Sequence, residues 1–215
     1  MQIPYADDSL PSQKEYEPRS GSGRVVVLVS GQTGAANYTK VAEDIAAEGY
    51  YAVLVDGNDL WIKSGGGEDL LKGVIMRAQQ SPHALTGKVG VIGFSRGGAP
   101  ALTYAARMPD LVAAVVAHYP LTSFISDPAA FVAKIKVPTL ILAGTADTYK
   151  NCCLIETARK LDEAAKAGLT PNPLEVFEYP GVEHGYSSNN SRRQDIASDA
   201  LRRTVAYLRK NLDQR

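Results

Sequence analysis

The sequence predicts an α/β fold, a mainly parallel sheet with helices on both faces, from two observations. Short apolar runs alternate with amphipathic stretches along most of the chain. The runs are also apolar nearly throughout, as strands covered on both faces are, whereas a half-solvated strand would alternate apolar with polar.

Residues 1–23 are polar and carry Pro4, Pro11 and Pro18, so a surface segment is expected ahead of a single domain over 24–215. The first strand is expected at 25–29, where Val25-Val26-Val27-Leu28-Val29 is rich in β-branched residues. A helix at 38–48 and a strand at 51–55 follow, then a helix at 68–80 and a strand at 89–94. The next helix, 98–107, tolerates Pro100 because its first-turn N–H has no intrahelical acceptor to lose. A strand at 113–117, a short helix at 128–134, a strand at 139–143, a helix at 154–167, a strand at 174–179 and a helix at 192–212 complete the alternation. There is no internal repeat and no low-complexity tract.

Composition narrows the classes. The chain has 215 residues, 45% hydrophobic and 21% charged, ordinary values for one soluble globular domain. Lysine plus arginine and aspartate plus glutamate both number 23, so no global field favours nucleic acid or an anionic membrane. No apolar run approaches the roughly 20 residues that span a bilayer, and no basic start precedes an apolar core as in an export signal. The two cysteines, Cys152 and Cys153, are adjacent. A disulfide between neighbours needs strained geometry, so two thiols and a reducing, cytoplasmic setting are expected. Three scattered histidines and no C-x-x-C pair give no zinc-ligand spacing, so neither metal nor cofactor is expected.

The chemistry concentrates at strand ends. Gly93-Phe94-Ser95-Arg96-Gly97 joins a strand to a helix in the pattern Gly-x-Ser-x-Gly, a turn that holds a serine hydroxyl clear of the backbone. Glycines two residues either side are needed because side chains there would strike each other or the neighbouring strand. Asp147 follows the 139–143 strand in Gly144-Thr145-Ala146-Asp147, and His184 follows the 174–179 strand in the last long loop. His83 and His118 both precede the acid in sequence, so His184 is the expected base. An isolated aspartate after a strand is commonly a turn former, and an isolated loop histidine is commonly solvated. Three such groups in the order Ser, Asp, His on successive strand ends outweigh those readings. The loop Ser30-Gly31-Gln32-Thr33-Gly34 ends the first strand, where the Gln32 N–H is expected to join the Arg96 N–H as an oxyanion hole. It does not match either phosphate-binding glycine pattern.

These residues resemble the dienelactone hydrolase family of α/β-hydrolases. The resemblance runs from about Arg24 to Leu212 and rests on Gly-Phe-Ser-Arg-Gly-Gly at 93–98, Gly-Thr-Ala-Asp at 144–147, His-Gly-Tyr at 184–186 and the closing stretch 199–205. It implies Ser95 as nucleophile, His184 as base and Asp147 as the acid that orients it. Dienelactone hydrolase itself uses cysteine as nucleophile and a glutamate in the first loop, whereas here the nucleophile is serine and 30–34 holds no carboxylate. The resemblance therefore implies a serine hydrolase of small carboxylic esters or lactones. The stretch Gly-Phe-Ser-x-Gly-Gly is also similar to acyl-protein thioesterases. A cofactor-free perhydrolase or haloperoxidase and a non-catalytic binding protein remain as alternatives on the same fold. Tyr38, Trp61, His118, Tyr119, Tyr149 and Tyr186 lie near expected strand ends and are candidates to line an aromatic substrate pocket, although core packing is the commoner role for each. The segment between Val55 and Glu68 is too short for a separate lid domain, which favours small substrates.

Overall fold

The computed structural model describes residues 10–61, 65–170 and 172–213, so residues 1–9 of the N-terminal segment and 62–64 of the loop after Trp61 lie outside the described residues. Among the described residues, seven strands form one sheet in the order β1-β3-β2-β4-β5-β6-β7. They are β1 (Gln13–Tyr16), β2 (Gly23–Val29), β3 (Tyr51–Val55), β4 (Ala84–Phe94), β5 (Val112–His118), β6 (Thr139–Gly144) and β7 (Leu174–Tyr179). Pairing is parallel throughout except for β1, which runs antiparallel to β3 with Gln13 opposite Val55.

The strand alternation explains the two-sided cover. In β2, Val25, Val27 and Val29 enter one core, shared with Leu71, Val74 and Ile75 of α3 (Gly67–Gln79) and Ala101 and Leu102 of α4 (Gly98–Thr103). Phe131 of α5 (Pro128–Val132) and Leu161 of α6 (Ile155–Ala164) belong to the same face. Val26 and Leu28 point the other way, onto Ala42 and Ile45 of α1 (Thr39–Ala47) and Leu208 of α7 (Gln194–Leu212). The interior strands are buried on both faces over most of their length, β4 only from Val89 on, which is why those stretches show no polar alternation. A short helix, α2 (Gly57–Leu60), is capped by Asp56, whose Oδ1 accepts from the Asn58 N–H at 2.9 Å.

Some expectations need correcting. Residues 13–16, expected only as surface chain, form an edge strand; their sequence Gln-Lys-Glu-Tyr is half exposed, so it carries no apolar signal. The expected helix 98–107 is interrupted at Tyr104, after which Arg107 donates to Tyr104 and Met108 to Ala105, a tighter 3₁₀ turn. β4 begins at Ala84, ahead of the expected 89, because Gly23 and Arg24 of β2 extend the ladder to Ala84 and Leu85.

Candidate active site

Parallel strands end together, and the loops beyond their carboxyl ends form the crevice of such a sheet. Ser95 directly follows β4 at the centre, Asp147 lies three residues past β6, and His184 lies in the loop after β7.

The turn at Ser95 is forced. Its φ is 49°, left-handed backbone that a residue with a Cβ adopts at a cost of roughly 1–2 kcal/mol. Close packing allows nothing wider: a Cβ on Gly93 would lie 2.7 Å from the Ala101 Cβ and strike the Gly97 carbonyl, and one on Gly97 would strike the carbonyls of Val29 and Ser30 on β2 and its following residue. The Leu121 N–H bonds the Ser95 carbonyl at 2.7 Å and holds the turn from the next strand's loop.

Asp147 and His184 sit on two loops that are bonded to each other. The Ala146 N–H donates to the Val182 carbonyl at 3.1 Å, the Thr145 N–H to the Tyr179 carbonyl at 3.0 Å, and the Gly181 N–H to Thr145 Oγ1 at 2.8 Å. Asp147 is 3% exposed. Its Oδ1 accepts from the Tyr149 N–H at 3.1 Å and its Oδ2 lies 2.7 Å from His184 Nδ1. The other ring nitrogen, Nε2, lies 2.8 Å from Ser95 Oγ. With Asp147 as acceptor, Nδ1 carries the ring proton and Nε2 presents a lone pair to the hydroxyl. Tyr149 stacks on the imidazole with centroids 4.6 Å apart and 13° between planes, and Tyr119 meets it edge-on at 4.8 Å.

The loop after β2 passes over Ser95: a Cβ on Gly31 would lie 3.2 Å from Ser95 Cβ. Asn58 at the start of α2 holds this loop by donating to the Gln32 carbonyl at 3.2 Å, and the Gln32 side chain donates to the Tyr149 hydroxyl at 2.5 Å. Ser30 adds a second tie, its Oγ accepting from the Gly57 N–H at 3.1 Å. Arg96 occupies the first turn after the elbow, where backbone N–H groups have no intrahelical acceptor. Its guanidinium donates to the Trp61 carbonyl at 2.8 Å.

The aromatic candidates divide. Tyr149 is exposed on one side and stacked on His184, and Trp61 packs at 4.8 Å on Phe124, itself exposed. Tyr38, Tyr119 and Tyr186 are buried: Tyr38 lies against Phe94 at 4.8 Å, and the Tyr186 hydroxyl donates to the Leu142 carbonyl. Burial pushes the hydroxyls of Tyr119 and Tyr186 well above the usual phenol range. His118 does not join the crevice. It ends β5 on the α7 side, between Ser187 Oγ and Thr204 Oγ1 at 3.0 Å each, beside a separate cavity of about 220 Å³. Burial drives its pKa down to about 3. A further cavity of about 370 Å³ adjoins His184, lined by Glu183, Ser188, Arg192 and Arg193.

The cysteines also correct the sequence reading. Cys152 and Cys153 are joined in a disulfide, across a trans peptide, which removes the argument for a reducing compartment that rested on two thiols. The physical reason is the turn that precedes them: Lys150 and Asn151 both have left-handed φ, 48° and 53°, and coil the chain so that neighbouring side chains meet. Nothing in the pattern of two adjacent cysteines signals that turn. Asn58 and the Asp56 cap were likewise missed as supports of the first loop; the only available signal was a polar Asp-Gly-Asn cluster directly after a strand.

A serine elbow after a central parallel strand, with acid and base following in that chain order, defines an α/β-hydrolase. Residues 67–212 match the model of the dienelactone hydrolase family, so the chain belongs to that family and is a hydrolase. A curated relative, Protein usf of Aquifex pyrophilus, is 32% identical over 130 residues, 58% of this chain and 52% of that one; the chain spans about half the length of this relative. Among solved structures, a candidate dienelactone hydrolase from Klebsiella pneumoniae superposes with a TM-score of 0.75 at 21% identity, over 91% of each chain. Thermogutta terrifontis esterase 2, phosphorylated by paraoxon, gives 0.73 at 19% identity over 97% of this chain and 92% of that one. Est1E from Butyrivibrio proteoclasticus gives 0.68 at 14% identity over 91% and 93%.

Proposed function

We propose that the protein is a serine esterase that hydrolyses small carboxylic esters or lactones through an acyl-enzyme on Ser95. The observation that carries this reading is the hydrogen-bonded line from Ser95 Oγ through His184 to Asp147, with contacts of 2.8 and 2.7 Å. A hydroxyl is a weak nucleophile until a base takes its proton as it attacks, and Nε2 stands where that proton must go. The tetrahedral oxyanion forms beneath the Gln32 loop, where the N–H groups of Gln32 and Arg96 stabilise it. His184, now cationic, returns its proton to the departing alcohol, and the face of Tyr149 favours that cation while the stack lasts. Water, deprotonated by the same imidazole, then releases the acid.

The exposed rings of Phe124 and Tyr149 and the partly buried Trp61, whose carbonyl accepts from the Arg96 guanidinium next to Ser95, suit a short acyl or aryl ester. The test is labelling by a fluorophosphonate with mass-spectrometric mapping, alongside hydrolysis of p-nitrophenyl acetate. An adduct on Ser95, and loss of both adduct and turnover in Ser95→Ala, are expected. Undiminished turnover by Ser95→Ala would sink the proposal.

A further inference from the structure

We propose that Cys152, Cys153 and His184 form a soft-metal site that is closed while the two cysteines are joined and opens when a dithiol reduces them. The inference rests on His184 being the base of the hydrolase. The sulfurs and a ring nitrogen all lie within 4.8 Å of one another. Tetrahedral zinc, with Zn–S about 2.3 Å and Zn–N about 2.0 Å, sets its ligand atoms roughly 3.5–3.8 Å apart; the imidazole nitrogen is within reach of both sulfurs, and the sulfurs, bonded to each other here, must separate to that spacing once the bond is cleaved. Two thiolates and an imidazole suit zinc and its neighbours better than hard oxygen-seeking cations.

Backbone hydrogen bonds that do not involve the sulfurs tie this segment down. Thr122 and Ser123 donate their N–H groups to the Cys152 carbonyl at 2.8 and 3.0 Å, tying the segment to the loop after β5. The Thr122 side of that loop also carries the Leu121 N–H that holds Ser95. Upstream, the same segment supplies Asp147 and the Tyr149 ring. Cys153 is buried and Cys152 half-buried, while the His184 side chain is 16% exposed, so a small ion reaches them from the crevice and meets little competing water.

Opening the site is a two-electron exchange. A thiolate of the dithiol attacks one sulfur, the other leaves and takes a proton, and the second thiol of the reductant resolves the mixed disulfide. The reductant ends as a disulfide, and the protein gains two electrons and two protons. Zinc then displaces the two thiol protons, and the neutral imidazole donates a nitrogen lone pair. Both ring nitrogens are already engaged, Nε2 with Ser95 Oγ and Nδ1 with Asp147 Oδ2. A metal on either nitrogen therefore breaks one of the two contacts that make Ser95 a nucleophile. The joined cysteines offer no thiolate, so in that state the metal leaves hydrolysis untouched.

The test uses the full chain, oxidised and after reduction by a phosphine, which becomes its oxide as water supplies oxygen and protons. Cobalt(II) is titrated as a spectroscopic stand-in for zinc. Reduced protein is expected to bind one cobalt with a thiolate-to-metal charge-transfer band that the oxidised protein lacks. Cys152→Ser should lose the band, and His184→Asn should weaken binding by about 10–100-fold. Zinc should slow fluorophosphonate labelling of Ser95 at least about tenfold in the reduced protein only, reversed by a chelator, because base removal costs orders of magnitude in rate. The absence of a band in reduced wild-type protein overturns the site, and this reading needs no variant to fold. Affinity unmoved by His184→Asn overturns the link to the base. If Ser95 fails to label even without metal, the esterase reading falls while the cobalt band still decides the site.

Discussion

Replacing Asp147 by asparagine tests the orientation of the base while leaving its site filled. The carboxylate accepts twice, from His184 Nδ1 at 2.7 Å and from the Tyr149 N–H at 3.1 Å. An asparagine has one oxygen. The Tyr149 N–H can only donate, so the amide oxygen turns toward it and the NH₂ faces the imidazole. Nδ1 must then accept, the ring proton shifts to Nε2, and that proton faces Ser95 Oγ across the 2.8 Å contact where a lone pair is needed. This wrong tautomer lowers kcat by about 10⁴ in the Ser-His-Asp template, equivalent to about 5 kcal/mol of barrier, and a fall of that order is expected here. Stability should change by less than about 1 kcal/mol, because both hydrogen bonds are exchanged for neutral ones of similar geometry. The assay is steady-state hydrolysis of p-nitrophenyl acetate, with thermal unfolding of the same preparation. KM should hardly move. A folded variant whose kcat stays within about tenfold of the wild type would refute the tautomer argument.

Two further outcomes follow from the supports of the site. Asn58→Ala frees the Gln32 carbonyl from its 3.2 Å bond, and losing about 1 kcal/mol of loop positioning should cut kcat about fivefold with KM little changed; an unaltered kcat would show that the loop is held without Asn58. His118 has a folded pKa of about 3 against an ordinary value of 6.5. Between those values the unfolded chain binds a proton that the folded protein refuses, so stability is lost as pH falls, by about 2 kcal/mol from pH 7 to pH 5. Denaturant unfolding at the two pH values should show His118→Gln losing that increment, and an equal slope in both proteins would contradict the assignment.

The hydrogen-bonded line of Ser95, His184 and Asp147 was legible because such chemistry needs particular side chains directly after apolar runs, and Gly93, Ser95 and Gly97 advertise the turn by their spacing. The edge strand was not legible: Gln13, Lys14 and Glu15 lie at a half-exposed border where no apolar period is imposed. His118 could have been placed by counting. It shares a strand face with Ala114 and Val116, the face that packs on α1 and α7, so it points away from the crevice. The disulfide depended on two successive left-handed residues, Lys150 and Asn151, neither of them a glycine. Such a turn is decided by its surroundings, and propensity gives no hint of it.

The bond from the Gln32 side chain to the Tyr149 hydroxyl joins two parts of the chain with different tasks. In the proposed mechanism the part before Gly67 contributes the Gln32 N–H to the oxyanion hole, and the part after it contributes the Arg96 N–H and every group that moves a proton. Selection can therefore adjust the Gln32 share of charge stabilisation and the proton transfer through separate stretches of sequence, with effects on the rate that multiply. At Gln32 and Tyr149 that independence ends. Changes there alter both tasks at once, so paired substitutions at this bridge are where epistasis in the evolution of the site should gather.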